Sequence, residues 1–343
     1  IFHSIGASSH FTGLFKVAKR KGYKVKERKY MFLRSLLKSI IRFSPKEFID
    51  SLSDIFWYLQ TILSIKSNQK IIISIAPFDW RIIFMVAIPH NNEIYFHNSW
   101  CRWNQSDGYS NFPYKPLNSV VISFWKIFFK KVKICFFVTQ TALDSFSQNF
   151  IKHENMRVVY HCFDETIFQY NGEHKKQVAC YAGRLEASKG LKTFLNIASI
   201  NSKYKFIVAG KGSYEKKCIN TNDVNYLGFL NQKELSNIFI SSDFLLLPSK
   251  ESSNWHESFG IVVIQSMACG VIPISTDNPG PKEILKNFQN LLITEDNFEK
   301  HANDLILNLT EENKNILRMG LMEEAKKYTT KNIALRWEEI FHD

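Results

Sequence analysis

Strand-like runs, most of them almost wholly apolar, recur along this 343-residue chain, and nearly all lead into sequence with helical spacing. In the first half they fall at residues 1–6, 23–30, 70–77, 93–99 and 132–139. A short extended piece at 156–164 closes that half, and the rhythm restarts at 178–186, 204–212, 224–230, 243–249 and 271–276. Short continuous apolar runs suit strands buried on both faces, as in parallel sheets covered by helices on each side. The alternation predicts an α/β chain with two doubly wound, Rossmann-like sheets in succession. The polar stretch at 169–177 reads as the linker between them.

Composition narrows the classes. At 45% hydrophobic and 14% aromatic the chain is globular, and its length suits two cores of roughly 150–180 residues. The net charge of +12 admits nucleic acid, an anionic membrane surface or a phosphorylated substrate as partner. No zinc finger, RNA-recognition signature or KH-type clamp is present, which counts against nucleic acid. The six cysteines show no metal-ligand spacing and read as buried, reduced thiols of a cytosolic protein. Charged residues and Pro77 interrupt the apolar stretches 71–89 and 120–138, so neither offers the ~20 apolar residues of a spanning helix. The chain opens at Ile1 inside a strand pattern, so a trimmed start is expected, and no signal peptide is visible.

Two stretches carry chemistry. In residues 248–276 a strand ending at Leu247 leads into a polar loop with Glu257, a helix from Phe259 to Ala268, a C-cap at Gly270 and a strand Val271–Ser275. A carboxylate after a strand's carboxyl end, beside the next helix's N-terminus, can accept from sugar hydroxyls while backbone N–H groups face oxygen atoms. In residues 181–198 a strand runs into Gly183 and Arg184, with Ser188 as a candidate N-cap and Lys189 at the start of a helix. A diphosphate there gains charge-assisted hydrogen bonds and the helix dipole. Gly210 and Gly212 follow the next strand, where a tight turn alone would explain them.

Together these residues resemble the signature of the family 4 retaining glycosyltransferases (glycosyl transferases group 1). Gly183-Arg184, four residues and Lys189-Gly190 match its diphosphate motif, and Glu257-Ser258-Phe259-Gly260 with Met267-Ala268-Cys269-Gly270 match its donor-sugar motif. Where the family carries a second Glu this chain has Gln265, and Ser266 stands in place of Ala. The likeness is dense in the second half and loose in the first. It implies the GT-B architecture: two Rossmann-like domains, 1–163 on the acceptor side and 164–330 for the nucleotide-sugar, facing a cleft. A helix over 331–343 would return to the first domain through Ile333, Trp337, Ile340 and Phe341.

The activity it implies is retaining, metal-independent transfer of a hexose from a UDP- or GDP-linked donor to a glycan acceptor. Bacterial surface polysaccharide synthesis is the expected setting, and lipid-linked acceptors are among the candidates. Glu257 would orient the sugar and His97 contact it. Arg184, Lys189, Gly6, Ser258, Phe259 and Gly260 would hold diphosphate and sugar; Gln265, Gly210, Gly212, Gly228 and Phe229 would meet the nucleoside. Gly6 reads equally as a plain turn, and His97 also as an ordinary strand-end residue. His10 is a weaker candidate, the part of His256 stays open, and Glu283 is given no role. No cofactor beyond the donor and no metal is expected, because the chain has no Asp-x-Asp. Leu33, Leu36, Leu37, Ile40 and Ile41 oppose Arg34, Lys38 and Arg42 across Met31–Phe43. That pattern suits an interfacial helix on an anionic membrane, hence a cytoplasmic protein peripheral to its inner face, or equally a core helix. The rival readings are a sugar-nucleotide epimerase and a non-catalytic sugar-nucleotide-binding subunit.

Overall fold

The structure, a computed structural model, describes the chain apart from residues 4–7, 30–38, 42, 51, 53–55, 57–67, 105–117, 173–176, 253–254 and 343. It resolves into two compact units, Ile1–Tyr160 with Arg336–Asp343, and His161–Leu335. Gly6 lies outside the described residues, as do Arg34, Lys38 and Arg42.

The first unit holds a parallel sheet of β1 (Phe2–His3), β2 (Arg28–Lys29), β3 (Lys70–Ser74), β4 (Glu93–Asn98), β5 (Val132–Phe137) and β6 (Met156–Val158), in the order β2-β1-β3-β4-β5-β6. Of the strand expected over 23–30, the described residues form Arg28–Lys29, and residue 30 lies outside them. β2 is an edge strand, and a segment in which Lys24, Lys26 and Glu27 alternate with Tyr23 and Val25 has little apolar surface to bury. The helices include α1 (Thr12–Arg20), α2 (Asn118–Phe129) and α3 (Gln140–Asn149). Aromatic rings build the core: Phe96 of β4 meets Phe129 at 5.0 Å and Trp125 at 6.0 Å, and Trp103 meets Phe146 at 4.8 Å, all edge to face. The buried Trp125 indole N–H is satisfied by the Asp79 carbonyl at 3.1 Å.

The chain's last residues belong to this unit. Trp337 packs on Phe136 at 4.8 Å, Tyr23 meets Phe341 at 4.8 Å, and the Tyr95 hydroxyl donates to the Ile340 carbonyl at 3.1 Å. Arg20 pairs with Glu338, and Arg157 donates to Glu339 at 3.0 Å. Ile333, the fourth apolar residue expected to return here, is buried in the second unit.

The second unit holds β7 (Val178–Ala182), β8 (Lys205–Ala209), β9 (Val224–Tyr226), β10 (Phe244–Leu247), β11 (Ile272–Thr276) and β12 (Leu292–Ile293), all parallel, in the order β12-β11-β10-β7-β8-β9. Every residue of β7, β10 and β11 is buried. Its longer helices are α4 (Leu191–Ile200), α5 (Gln232–Ile240), α6 (Ile261–Ala268), α7 (Phe298–Asn308) and α8 (Glu311–Ala325), before α9 (Thr330–Trp337) crosses the division. Strand order reverses between β7 and β10, and such a reversal leaves a crevice at the strands' carboxyl ends.

The second unit begins at His161, ahead of the expected linker at 169–177, of which residues 173–176 lie outside the described residues. Phe163 N–H donates to the Tyr328 carbonyl at 3.1 Å, Ser236 Oγ donates to the Ile167 carbonyl at 2.6 Å, and Phe168 packs on Phe239 at 6.3 Å. These contacts draw the segment before the polar run into the unit's body. All six cysteines are free and buried, and burial pushes the Cys180 thiol up to about 12 and that of Cys269 to about 11. Among the described residues no helix is long and apolar enough to cross a membrane.

Candidate functional site

The site lies in the second unit, at the carboxyl ends of β7 and β10, where strand order reverses. Lys189 and Glu257 meet there as an ion pair, with side chains only 15% and 12% exposed. Ser249 Oγ donates to the same carboxylate oxygen at 3.3 Å. Close backbone packing brings them together. Gly190 has φ +66°, and a Cβ on it would fall 1.6 Å from the Pro248 carbonyl oxygen, so the turn carrying Lys189 is pressed against the strand end carrying Ser249. Lys250 N–H donates to the Ser188 carbonyl at 2.8 Å in the same seam.

Gly190 is therefore the cap of α4, and the cap expected at Ser188 is not formed; Ser188 lies in a 3₁₀ turn, Ala187–Lys189. In the same way α6 begins at Ile261, two residues after its expected start, because Gly260 takes φ +81° at the N-cap. Phe259, just before it, is buried against His161 and Tyr328, with ring centres at 5.1 and 6.1 Å. Ser258 is half-buried.

Asn278 locks Glu257 in place, a part no local pattern announced. Glu257 N–H donates to Asn278 Oδ1 at 2.9 Å, while Asn278 Nδ2 donates to the Ser249 carbonyl and to Thr276 Oγ1, both at 3.0 Å. Gly280 N–H reaches the Glu257 carbonyl at 3.1 Å. The only sequence signal was a polar Thr-Asp-Asn step at a strand end, which is common in turns.

Arg184 stands on the same loop as Lys189 but is 57% exposed, and its guanidinium holds Glu186 at 2.8 Å. Gly210 N–H donates to the Gly228 carbonyl at 2.7 Å, and a Cβ on Gly210 would lie 1.8 Å from the Gly183 carbonyl oxygen. The loops after β7, β8 and β9 are thus in backbone contact. The Tyr226 hydroxyl lies 3.0 Å from the Gly210 carbonyl oxygen and 2.9 Å from a Glu215 carboxylate oxygen, two acceptors for its one proton. Gly212 sits on Leu185, whose carbonyl oxygen would be 2.5 Å from an added Cβ, and Phe229 is 70% exposed beside Gly228. Gln265, on the second turn of α6, is buried.

His97 belongs to the first unit. It is the penultimate residue of β4, buried against Phe11 at 4.9 Å and Trp337 at 5.5 Å, with Nδ1 3.5 Å from Ser74 Oγ. Burial, helped by the charge of His10, lowers its pKa from 6.5 to about 3, so the ring is neutral at physiological pH. Below pH 6.5 the unfolded chain protonates this side chain while the folded chain does not. Stability from this group is complete above pH 6.5 and is lost as pH falls toward 3, with a slope of up to about 1.4 kcal/mol per pH unit. His97→Gln is expected to flatten stability against pH between 6 and 4 in urea unfolding, whereas an unchanged slope would assign acid sensitivity to other groups.

Residues 163–328 match the glycosyl transferases group 1 family. An uncharacterized 41.2 kDa protein in the cps region of Klebsiella pneumoniae is 32% identical over 110 residues, 31% of this chain and 29% of that protein. The N,N'-diacetylbacillosaminyl-diphospho-undecaprenol alpha-1,3-N-acetylgalactosaminyltransferase of Campylobacter jejuni is 25% identical over 177 residues, 49% of this chain and 45% of the relative. The chain thus spans less than half the length of either relative. Anabaena HepE, solved in complex with UDP, superposes with a TM-score of 0.70 at 15% identity over 99% of this chain and 98% of that one. Two Rossmann-like parallel-sheet units are shared with that structure, and the second unit of this chain is a glycosyl transferases group 1 domain.

Proposed function

We propose that the chain is a retaining, metal-independent hexosyltransferase that moves a sugar from a nucleoside diphosphate donor to a glycan acceptor in bacterial surface polysaccharide synthesis. The observation that carries this is the Lys189–Glu257 pair at the strand-order reversal, one cation and one carboxylate fixed within a seam of backbone contacts. In this reading Lys189 and Arg184 take the diphosphate, and the N-terminus of α6 at Gly260, which has no side chain to cap it, adds its dipole. Glu257 accepts from hydroxyls of the transferred sugar. Gln265, with an accepting oxygen and a donating nitrogen, takes the ribose diol without charge assistance.

The donor's C1–O bond breaks as negative charge gathers on the departing diphosphate, where the cations stabilise it. The acceptor oxygen bonds to C1 from the same face, and its proton passes to a diphosphate oxygen. The UDP in the HepE structure supports a UDP-linked donor, and the Campylobacter relative's name supports an α-linked product on a lipid-linked glycan. The cps region of the Klebsiella relative supports the polysaccharide setting. A cytoplasmic place at an anionic membrane surface through Met31–Phe43 belongs to the same proposal, supported by the net charge of +12.

Incubation with UDP- and GDP-sugars, lipid-linked glycan acceptors and EDTA tests the reading. Acceptor-dependent release of nucleoside diphosphate is expected, with the donor's anomeric configuration kept in the product. Activity that dies in EDTA and returns with Mn²⁺ would refute the metal-free part. Sugar isomerisation without acceptor would point to an epimerase, and binding without turnover to a non-catalytic subunit.

A further inference from the structure

The Lys189 ammonium has a second neighbour: the indole of Trp255 lies over it, with the ring centre 4.7 Å from Nζ. Trp255 reaches that place from a tied loop. A short antiparallel bridge joins it to Ser252, whose N–H donates to the Trp255 carbonyl at 2.8 Å. The loop is anchored at its start as well. Lys250 N–H is held by the Ser188 carbonyl at 2.8 Å, beside Lys189 itself. Glu251 N–H donates to Glu295 at 3.1 Å, and Lys250 Nζ lies 3.5 Å from the other oxygen of that carboxylate. The indole is thus placed by backbone bonds on the turn that carries Lys189 and by Glu295, which follows β12.

An ammonium has three donors on a flexible stem and takes whatever acceptor lies nearest. Here Glu257 takes one, and the indole covers a second direction without accepting a directed hydrogen bond. A π face attracts the charge wherever the N–H groups point. The ammonium can therefore change its anionic partner while staying over the ring.

We propose that Trp255 is a positioning residue for the donor diphosphate: fixed over Lys189, it keeps the ammonium in place as its anionic partner changes from Glu257 to phosphate. This rests on the reading of Lys189 as a diphosphate ligand. It gives a residue inside the polar loop a part in donor binding that the flanking motifs do not announce.

Calorimetric titration of the full chain with UDP, GDP and ADP, each against its own nucleoside, selects the probe as the diphosphate that binds tightest. Trp255→Leu is expected to weaken that diphosphate by roughly 2- to 30-fold and to leave the nucleoside unchanged. Trp255→Phe should restore most of the loss. In a Lys189→Met background the same Trp255→Leu change should cost nothing, because the charge it acts on is gone. Equal loss in both backgrounds, or none in either, overturns the proposal while the diphosphate reading of Lys189 stands. If Lys189→Met itself leaves diphosphate binding intact, or none of the three binds, both readings fall. Should Trp255→Leu not fold, Trp255→Met, which also lacks a π face, replaces it, and diphosphate affinity equal to the parent overturns the proposal.

Discussion

Asp243→Ala is expected to destabilise the protein by about 3–5 kcal/mol, the usual cost of leaving one partner of a buried ion pair alone. Asp243 stands just before β10 with its side chain fully buried, and the Arg318 guanidinium pairs with one carboxylate oxygen at 6% exposure. The other oxygen accepts from Gln177 N–H at 2.5 Å, at the start of β7. Asp243 also continues the ladder through its backbone: its N–H donates to Val178 at 2.8 Å and its carbonyl accepts from Ile272 at 2.9 Å. Removing the carboxylate strands an arginine in the core and an N–H at a strand entrance. Lys314, one turn earlier on α8, is buried over the rings of Tyr204 and Phe244 at 5.5 and 5.3 Å, so α8 presents two basic side chains toward this corner. Urea unfolding at neutral pH measures the loss. The double change Asp243→Leu with Arg318→Met should recover most of it, since an apolar pair leaves no charge uncompensated. A single-mutant cost below about 1 kcal/mol would mean that water reaches the pair. This corner lies at the amino ends of the strands, so the folded fraction should bind nucleotide normally.

Lys189→Ala and Glu257→Ala are expected to separate binding from transfer. Loss of a charge-assisted bond worth about 1.5–3 kcal/mol should weaken nucleoside diphosphate binding by about ten- to a hundred-fold in Lys189→Ala. Glu257→Ala should reduce sugar transfer to background with no loss of diphosphate affinity. Deleting the carboxylate frees the ammonium it now holds, so the Kd should fall or stay level. Titration calorimetry gives the affinities, and release of the nucleoside diphosphate gives the transfer rate. Parallel loss of binding and transfer in Glu257→Ala would show that the carboxylate supports the nucleotide or the loop rather than the sugar.

Much of this was visible in the chain because it is local. The runs that became β7, β10 and β11 are almost continuously apolar, and strands buried on both faces demand that. Arg184, Lys189 and Glu257 stand in short stretches whose chemistry is local too. Long-range contacts were not visible. The choice of Gly190 over Ser188 as a cap depends on Pro248, and the fixing of Glu257 depends on Asn278, 21 residues on. Arg318 finds Asp243 across 75 residues. Residues 161–168 looked like the approach to a linker because their partners, Tyr328, Ser236 and Phe239, come much later in the chain. Trp255 stood in plain view, yet its place over Lys189 exists only once two loops are packed together.

The central claim is that the loops after β7 and β10 form a diphosphate site. Titration of the parent chain and of Arg184→Ala with a nucleoside diphosphate and its matched nucleoside tests it most directly. At least one of UDP, GDP and ADP should bind about tenfold or more tightly than its nucleoside, and Arg184→Ala should remove most of that advantage, the worth of one charge-assisted bond. Equal affinity for diphosphate and nucleoside in the parent, or an advantage untouched by Arg184→Ala, would contradict it.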